Sequence, residues 1–135
     1  RQWNLVDNKD LCYHYLGDFD KQLLKTIKSE KNFNKTPVVE IWHNDGDQVL
    51  AYMRGDLLFV FNFSPTRSFT DYGFLVPTGA YSVVLDTDNK AFGGNGLNDD
   101  EMTHLTNYDP VYVNDRKEWL KLYLPARSAL VLKKN

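Results

Sequence analysis

The chain has 135 residues, of which 42% are hydrophobic and 25% are charged, a composition typical of one globular domain with a packed core. Its formal net charge is −2 and its lysines and arginines are scattered, so we expect no nucleic-acid partner. No stretch reaches the roughly 20 apolar residues of a membrane-spanning helix, so we expect no membrane partner. A single cysteine excludes an internal disulfide and, with no visible signal peptide, favours a reducing, cytoplasmic location.

Two features near the start of the chain allow further expectations. Cys12 could be a reactive thiol or a small buried hydrophobic residue on a helix, and we favour the second interpretation. The sequence opens with Arg1-Gln2-Trp3 rather than with methionine. We therefore expect the chain to be part of a longer protein.

The first thirty residues have the apolar spacing of helices. Leu11, Tyr15 and Leu16 form a helix-spaced set that stops at Gly17, a residue type that commonly follows a helix. Asp18 is then predicted to cap a second helix. This second helix carries one apolar stripe, formed by Phe19, Leu23, Leu24 and Ile27. Because the stripe would be wet in an isolated helix pair, the segment is expected to dock on another body.

The rest of the sequence predicts a β-sandwich. Residues 32–37 are polar and end in proline, which indicates a linker. Beyond them, short β-branched and aromatic runs alternate with turn residues about every 8–12 positions. The predicted strands are 38–43, 49–54, 57–63, 70–75, 80–86, 102–106, 111–113, 117–124 and 127–133. Strand 57–63 is apolar on both faces, so it is expected at the middle of a sheet. Turns are predicted at 44–47 and 54–56, where glycine can adopt a positive φ.

No motif for catalysis or metal binding is visible. His14, His43 and His104 are isolated and lack a partner at zinc-ligand spacing. Residues 86–89 resemble a calcium loop only in part, and the glycine-rich residues 92–96 lack the lysine of a phosphate loop. Most of the 18 acidic residues lie in predicted turns, where Asp is common for conformational reasons. We expect no catalytic residue, no cofactor and no metal.

One strand carries a candidate binding face. Along 117–124 the leucines point one way, so Trp119, Lys121 and Tyr123 point the other way, with the two rings about 13 Å apart. These aromatic faces could seal a contact between domains, stack on sugar rings, or simply be scattered exposed aromatics. The interdomain contact is the favoured interpretation.

Several blocks of the sequence resemble the 1,4-α-glucan (glycogen) branching enzymes of the alpha-amylase superfamily, glycoside hydrolase family 13. The matching blocks occur in the same order over nearly the whole chain. They are RQWNLVD at 1–7, YHYL at 13–16, AYMRGDLLFVFNFSP at 51–65, SFTDY at 68–72, VLDTD at 84–88, FGG at 92–94 and YLPARSA at 123–129.

This resemblance implies a three-part enzyme with an N-terminal sandwich, a (β/α)8 catalytic barrel and a C-terminal sandwich. The family transfers an α-1,4 glucan segment to a 6-hydroxyl, using an Asp, a Glu and a second Asp of the barrel, none of which matches an acid here. By this resemblance, residues 1–31 are a helical remnant of the barrel end, 32–37 a linker, and 38–135 an all-β, antiparallel C-terminal β-sandwich. The stripe of Phe19, Leu23, Leu24 and Ile27 would face the barrel.

The expected function is therefore that of a non-catalytic domain that stabilises the barrel of its own polypeptide. The alternative is an auxiliary module that binds α-glucan such as glycogen and influences chain-length preference.

Overall fold

A computed structural model describes residues 2–109 and 117–135 of the chain. Its elements are two α-helices followed by nine strands in two antiparallel sheets, which confirms the predicted all-β sandwich preceded by helices. The predicted strand 111–113 lies outside the described residues.

The helical segment differs from its prediction at Gly17. Helix α1 spans Asn4–Asp7, and α2 spans Tyr13–Ser29 without a break. The predicted helix end at Gly17 and cap at Asp18 are therefore wrong. A Cβ atom at Gly17 would lie 3.0 Å from Val6 Cγ1, so this glycine lets α1 pack close to α2 rather than ending a helix.

Short strands form most of the remaining structure. They are β1 (Val38–Asn44), β2 (Val49–Arg54), β3 (Leu57–Asn62), β4 (Phe69–Phe74), β5 (Ala80–Asp86), β6 (Thr103–Leu105), β7 (Asn107–Tyr108), β8 (Glu118–Leu124) and β9 (Ser128–Lys134). The larger sheet has the order β1-β2-β3-β9-β5-β6, and the smaller sheet has the order β4-β8-β7. Every predicted strand within the described residues has a counterpart, and β7 is an additional one.

The main core lies between the two sheets. Alternate residues of β2 face this core. Leu120, Leu122 and Leu124 of β8 also face it, and each of these leucines is at most 2% exposed. This period-2 burial is the pattern of a strand with one face on a core. The inward direction predicted for the β8 leucines is confirmed.

Strand β3 contributes to two cores, as its unbroken apolar run predicted. Leu58 and Val60 belong to the core between the sheets. Leu57 and Phe59 point to the opposite face of the large sheet, where they are also buried. A strand buried on both faces needs cover on each side, and the helical segment supplies the second cover.

The two predicted turns differ in which residue takes the left-handed conformation. Gly55 has a φ of 63°, as the turn at 54–56 requires. In the turn after β1, Gln48 has a φ of 58° and Gly46 has no positive φ. The Asn44 side chain stabilises this turn by accepting a hydrogen bond from the Asp47 backbone N–H at 2.8 Å.

Candidate interaction surfaces

Helix α2 packs on the outer face of the large sheet. Phe19 contacts Phe92 edge to face, with ring centroids 5.4 Å apart, and Leu23 packs on the same apolar cluster. Gly93 follows in the chain, and a Cβ atom there would lie 2.9 Å from Tyr15 Cδ2. The glycine-rich loop after β5 thus allows the helix to approach the sandwich closely.

The segment between α2 and β1 is held against the sheet by Arg54. Its guanidinium group donates hydrogen bonds to the backbone oxygens of Thr36, at 2.9 Å, and Asn34, at 3.1 Å. The same guanidinium lies 4.5 Å from the ring centroid of Phe33, which packs on the outer cluster. The assignment of 32–37 as a linker stays a prediction, but the segment contributes packing as well as connection.

An apolar groove of ≈ 500 Å³ remains between α2 and the sheet. From the helix side it is lined by Phe19, Leu23 and Ile27. From the sheet side it is lined by aromatic residues that include the stacked pair Tyr52 and Phe59, whose centroids are 4.9 Å apart. The lining is apolar apart from a few polar atoms, so the groove suits apolar side chains and not a charged ligand.

The four residues predicted to face a barrel have two different environments in the structure. Phe19, Leu23 and Ile27 line the groove and are partly buried against the sandwich. Leu24 is 55% exposed and lies outside the groove lining. Three other large apolar side chains of the helical segment are also exposed. We call these four the exposed helical set: Trp3, Tyr13, Leu16 and Leu24.

Cys12 is exposed and immediately precedes α2, so the expectation of a buried helical cysteine is wrong. The residues around it explain the exposure. Tyr13 and Leu16 in the following turn are themselves exposed, so Cys12 lies with them on the solvent-facing side of the described helical segment.

The predicted binding face on β8 is less exposed to solvent than an aromatic surface that stacks on a sugar ring would be. Trp119 and Tyr123 are partly buried, and the Trp119 indole nitrogen is enclosed without a hydrogen-bond partner among the described residues. Lys121 Nζ forms an ion pair with Asp109 Oδ2 at 3.1 Å. A role for Trp119, Lys121 and Tyr123 in an interface stays a prediction.

Two buried carboxyl groups lie close together at the end of β5. Asp86 is 2% exposed, its Oδ1 accepts the Asp88 backbone N–H at 2.8 Å, and no N–H or hydroxyl group of the described residues donates to its Oδ2. Asp100 Oδ1 is also buried without a partner. Burial, the largest cause, and the neighbouring Asp100 carboxyl together raise the pKa of Asp86 to about 7, against the lowering effect of the Asp88 N–H.

Asp88 stabilises the glycine-rich loop through both of its carboxylate oxygens. Its two carboxylate oxygens accept the backbone N–H groups of Asn95 and Leu97, each at 3.0 Å. A Cβ atom at Gly94 would lie 2.1 Å from the Asp88 backbone oxygen, so the turn requires glycine there. In the described part of the chain, no three His, Cys, Asp or Glu side chains are grouped as metal ligands. No helix among those residues is long and apolar enough to cross a membrane.

The sandwich of two antiparallel sheets, which begins near β1, is also the part of the chain that matches a known protein family. Residues 41–135 match the family described as the alpha amylase C-terminal all-beta domain. The chain belongs to this family. Residues 1–40 lie outside the match, in agreement with a change of architecture between the helical segment and the sandwich.

Relatives of this alpha amylase C-terminal domain extend the similarity into the helical segment. The chain is 42% identical over 134 residues to a 1,4-alpha-glucan-branching enzyme of Emericella nidulans. It is 38% identical over 135 residues to that of Rhizophagus irregularis and 37% identical over 134 residues to that of Saccharomyces cerevisiae. Each alignment covers 98% of this chain and 19% of the relative. The resemblance to branching enzymes is confirmed, and the chain spans about a fifth of their length.

Proposed function

We propose that this chain is the non-catalytic C-terminal domain of a cytoplasmic 1,4-α-glucan branching enzyme. Its role is to stabilise the catalytic barrel of the same polypeptide by covering apolar barrel surface. The support comes from the relatives, which carry this activity in their names, and from the apolar surfaces that the domain presents. Since the chain aligns with 19% of each relative, most of such an enzyme consists of other domains.

The exposed helical set is the observation that carries the proposal. One side of α2 is already used against the sandwich, through Phe19 and Leu23. On other parts of the segment, Leu16 is 65% and Leu24 is 55% exposed. Covering a leucine side chain fully contributes about 1.5–3 kcal/mol, so a partner that covers several of these residues gains substantial stability.

The position of this set favours a partner within the same polypeptide. Helix α2 is fixed to the sandwich by packing and by the ion pair between Glu30 and Lys133, with an N···O distance of 2.6 Å. The exposed helical set is therefore presented by a rigid support, as a permanent interface between domains requires. The relatives match this helical segment along with the sandwich, which is consistent with a conserved association of the two parts in one enzyme.

Charge substitution at this set tests the proposal. In the full-length enzyme, Leu16→Glu combined with Leu24→Glu is expected to lower the thermal midpoint and the branching activity. In the 135-residue chain alone the same pair is expected to leave the midpoint nearly unchanged, because both side chains are already in water there. Leu105→Glu, at a residue that is 60% exposed on β6, is the matched control. Equal effects in both proteins, or none in the full-length enzyme, would contradict the proposal.

A second candidate function is auxiliary binding of α-glucan, with an influence on chain-length preference. The structure offers little support for the β8 face in this role, because the Trp119 indole nitrogen is enclosed and Lys121 is paired. A different aromatic residue, Trp42, is 45% exposed, and its indole N–H donates a hydrogen bond to the Tyr72 hydroxyl oxygen. That residue is the observation that favours this candidate.

A further inference from the structure

Trp42 and Tyr72 meet at one side of the sandwich, where each sheet ends. Trp42 lies on β1, an edge strand of the large sheet, and Tyr72 lies on β4, an edge strand of the small sheet. The Trp42 indole N–H donates a hydrogen bond to the Tyr72 hydroxyl oxygen at 3.0 Å. This bond fixes the plane of a ring that is 45% exposed to solvent.

A polar network continues from Tyr72. Its hydroxyl donates to Asp47 Oδ2 at 2.9 Å, and burial raises the pKa of Tyr72, so the hydroxyl stays protonated. Arg67 Nη2 lies 3.3 Å from Asp47 Oδ1 and donates to the backbone oxygen of Gly46 at 2.6 Å. The Trp42 ring therefore has an oriented carboxylate and guanidinium nearby.

Both charged groups keep hydrogen-bonding capacity for a ligand. A carboxylate has about four lone-pair sites, and Asp47 uses two of them, for Tyr72 and Arg67. A guanidinium has about five N–H donors, and both hydrogen bonds that the Arg67 side chain makes to described residues leave from Nη2. A donor and an acceptor thus remain beside a fixed aromatic ring.

The chemistry of this surface differs from that of the exposed helical set. Trp42 is connected through the Tyr72 hydroxyl to Asp47, which forms an ion pair with Arg67 at 3.3 Å. An apolar domain interface would have to strip water from these charges, which is costly without new partners. A sugar ring presents C–H groups on its faces and hydroxyls at its rim. It can contact the negative face of the indole while its hydroxyls keep the charged groups hydrogen-bonded.

We propose that Trp42, Tyr72, Asp47 and Arg67 form a binding site for a short segment of α-glucan. Trp42 supplies the stacking surface, and Asp47 and Arg67 supply the acceptor and the donor for hydroxyls. The glucan class of ligand rests on the proposed function, since 1,4-α-glucan is the substrate in the names of the relatives. The site lies on the sandwich and needs no residue of the helical segment.

Affinity electrophoresis of the 135-residue chain in native gels containing glycogen tests the site. Glycogen is expected to retard the wild-type chain, and free maltoheptaose, but not the β-linked cellohexaose, is expected to reverse the retardation. Trp42→Ala should weaken binding about tenfold or more through loss of the stacking surface. Trp42→Phe, which keeps a ring, should weaken it less. Tyr108→Ala is the matched control, since Tyr108 is 60% exposed on β7 at the far edge of the small sheet.

Thermal unfolding of each variant separates loss of the site from loss of the fold. Wild-type mobility that glycogen does not change would overturn the proposal, and so would equal retardation of wild type and a folded Trp42→Ala variant. Loss of retardation in Tyr108→Ala but not in Trp42→Ala would also overturn it. Because none of the substitutions compared here lies in the helical segment, failure here leaves the proposed docking on a barrel unaffected, and failure of docking leaves the retardation unchanged.

Discussion

Lys133 Nζ lies 2.6 Å from Glu30 Oε1, and this ion pair joins the end of helix α2 to the last strand of the large sheet. The two residues are 103 positions apart in the chain. The contact ties the helical segment to the sandwich at the end of α2, while Phe19 packs on the sandwich nearer the beginning of the helix. Helix and sandwich are thus connected at two separate points.

Glu30→Gln is expected to lower the thermal midpoint slightly. The loss should shrink in about 1 M salt, because salt screens an ion pair in which Lys133 is 42% exposed. The hydrogen bond that Lys133 donates to Glu30 raises the pKa of Lys133, so the pair stabilises the fold below the ordinary lysine pKa and is lost as pH rises through the raised value. Thermal unfolding at low and high salt measures this, with Glu101→Gln as control. A salt-independent loss would contradict an electrostatic contribution.

Leu23 and Leu24 are neighbours on α2 with opposite environments, so they make a matched pair. Leu23→Ala should lower the free energy of unfolding of the 135-residue chain by about 2 kcal/mol, since its side chain packs on the outer cluster. Leu24→Ala should change it by less than about 0.5 kcal/mol, since Leu24 is 55% exposed. Urea unfolding measures both values. Equal losses would mean that α2 lies on the sandwich in a different rotation.

Asp86 is expected to make the folded state less stable as pH rises, the opposite of what a carboxyl group with a lowered pKa does. Its folded pKa of about 7 is raised from 3.8, so the unfolded chain releases this proton at lower pH than the folded one. The contribution of Asp86 is therefore greatest below about pH 4 and falls as pH rises towards 7. Asp86→Asn should remove this fall, because its amide supplies a permanent donor towards Asp100.

Urea unfolding of wild type and Asp86→Asn at pH 5 and pH 8 measures this dependence. The variant should be more stable than wild type at pH 8, with a smaller difference at pH 5. Asp99→Asn, at an exposed neighbouring aspartate, is the control for general charge effects. A constant difference between variant and wild type across this pH range would show that Asp86 does not titrate there.

Asn62 satisfies backbone groups where the β3–β4 and β8–β9 connections meet. Its side-chain N–H groups donate to the oxygens of Arg67, Leu124 and Pro125, and its Oδ1 accepts the Ser64 N–H. Asn62→Asp keeps the shape but replaces the donating amide nitrogen with a carboxylate oxygen that faces three carbonyls, so it should cost about 3 kcal/mol or more. Urea unfolding measures the loss, and Asn107→Asp on the exposed strand β7 should have little effect. A loss of similar size at both positions would contradict this role.

The sequence predicts the strands well because their signal is local. Alternation in β8 and the unbroken apolar run in β3 follow directly from which faces are buried, and the burial of Leu58 and Val60 matches it. Helix ends were predicted less well. Gly17 has the local signature of a helix end, but its role is close packing against Val6, a contact between two elements that no local pattern contains.

The interaction surfaces depend on contacts between distant residues. The apolar period of α2 predicts that Leu23 and Leu24 belong to one stripe, but only the docked position of the helix separates them. Trp42 and Tyr72 are 30 residues apart, and their hydrogen bond depends on how the two sheets stack. Asp86 and Asp100 come together through the glycine-rich loop that Asp88 holds. These three relationships were missed because sequence spacing carries no information about them.

Amide hydrogen exchange along α2 tests most directly whether the rest of the polypeptide covers the exposed helical set. The measurement compares the 135-residue chain with the full-length enzyme under identical conditions. The proposed docking predicts that amides around Leu16 and Leu24 exchange more slowly in the full-length enzyme, while amides of β6 exchange at the same rate in both. Identical exchange along α2 in the two proteins would contradict the account.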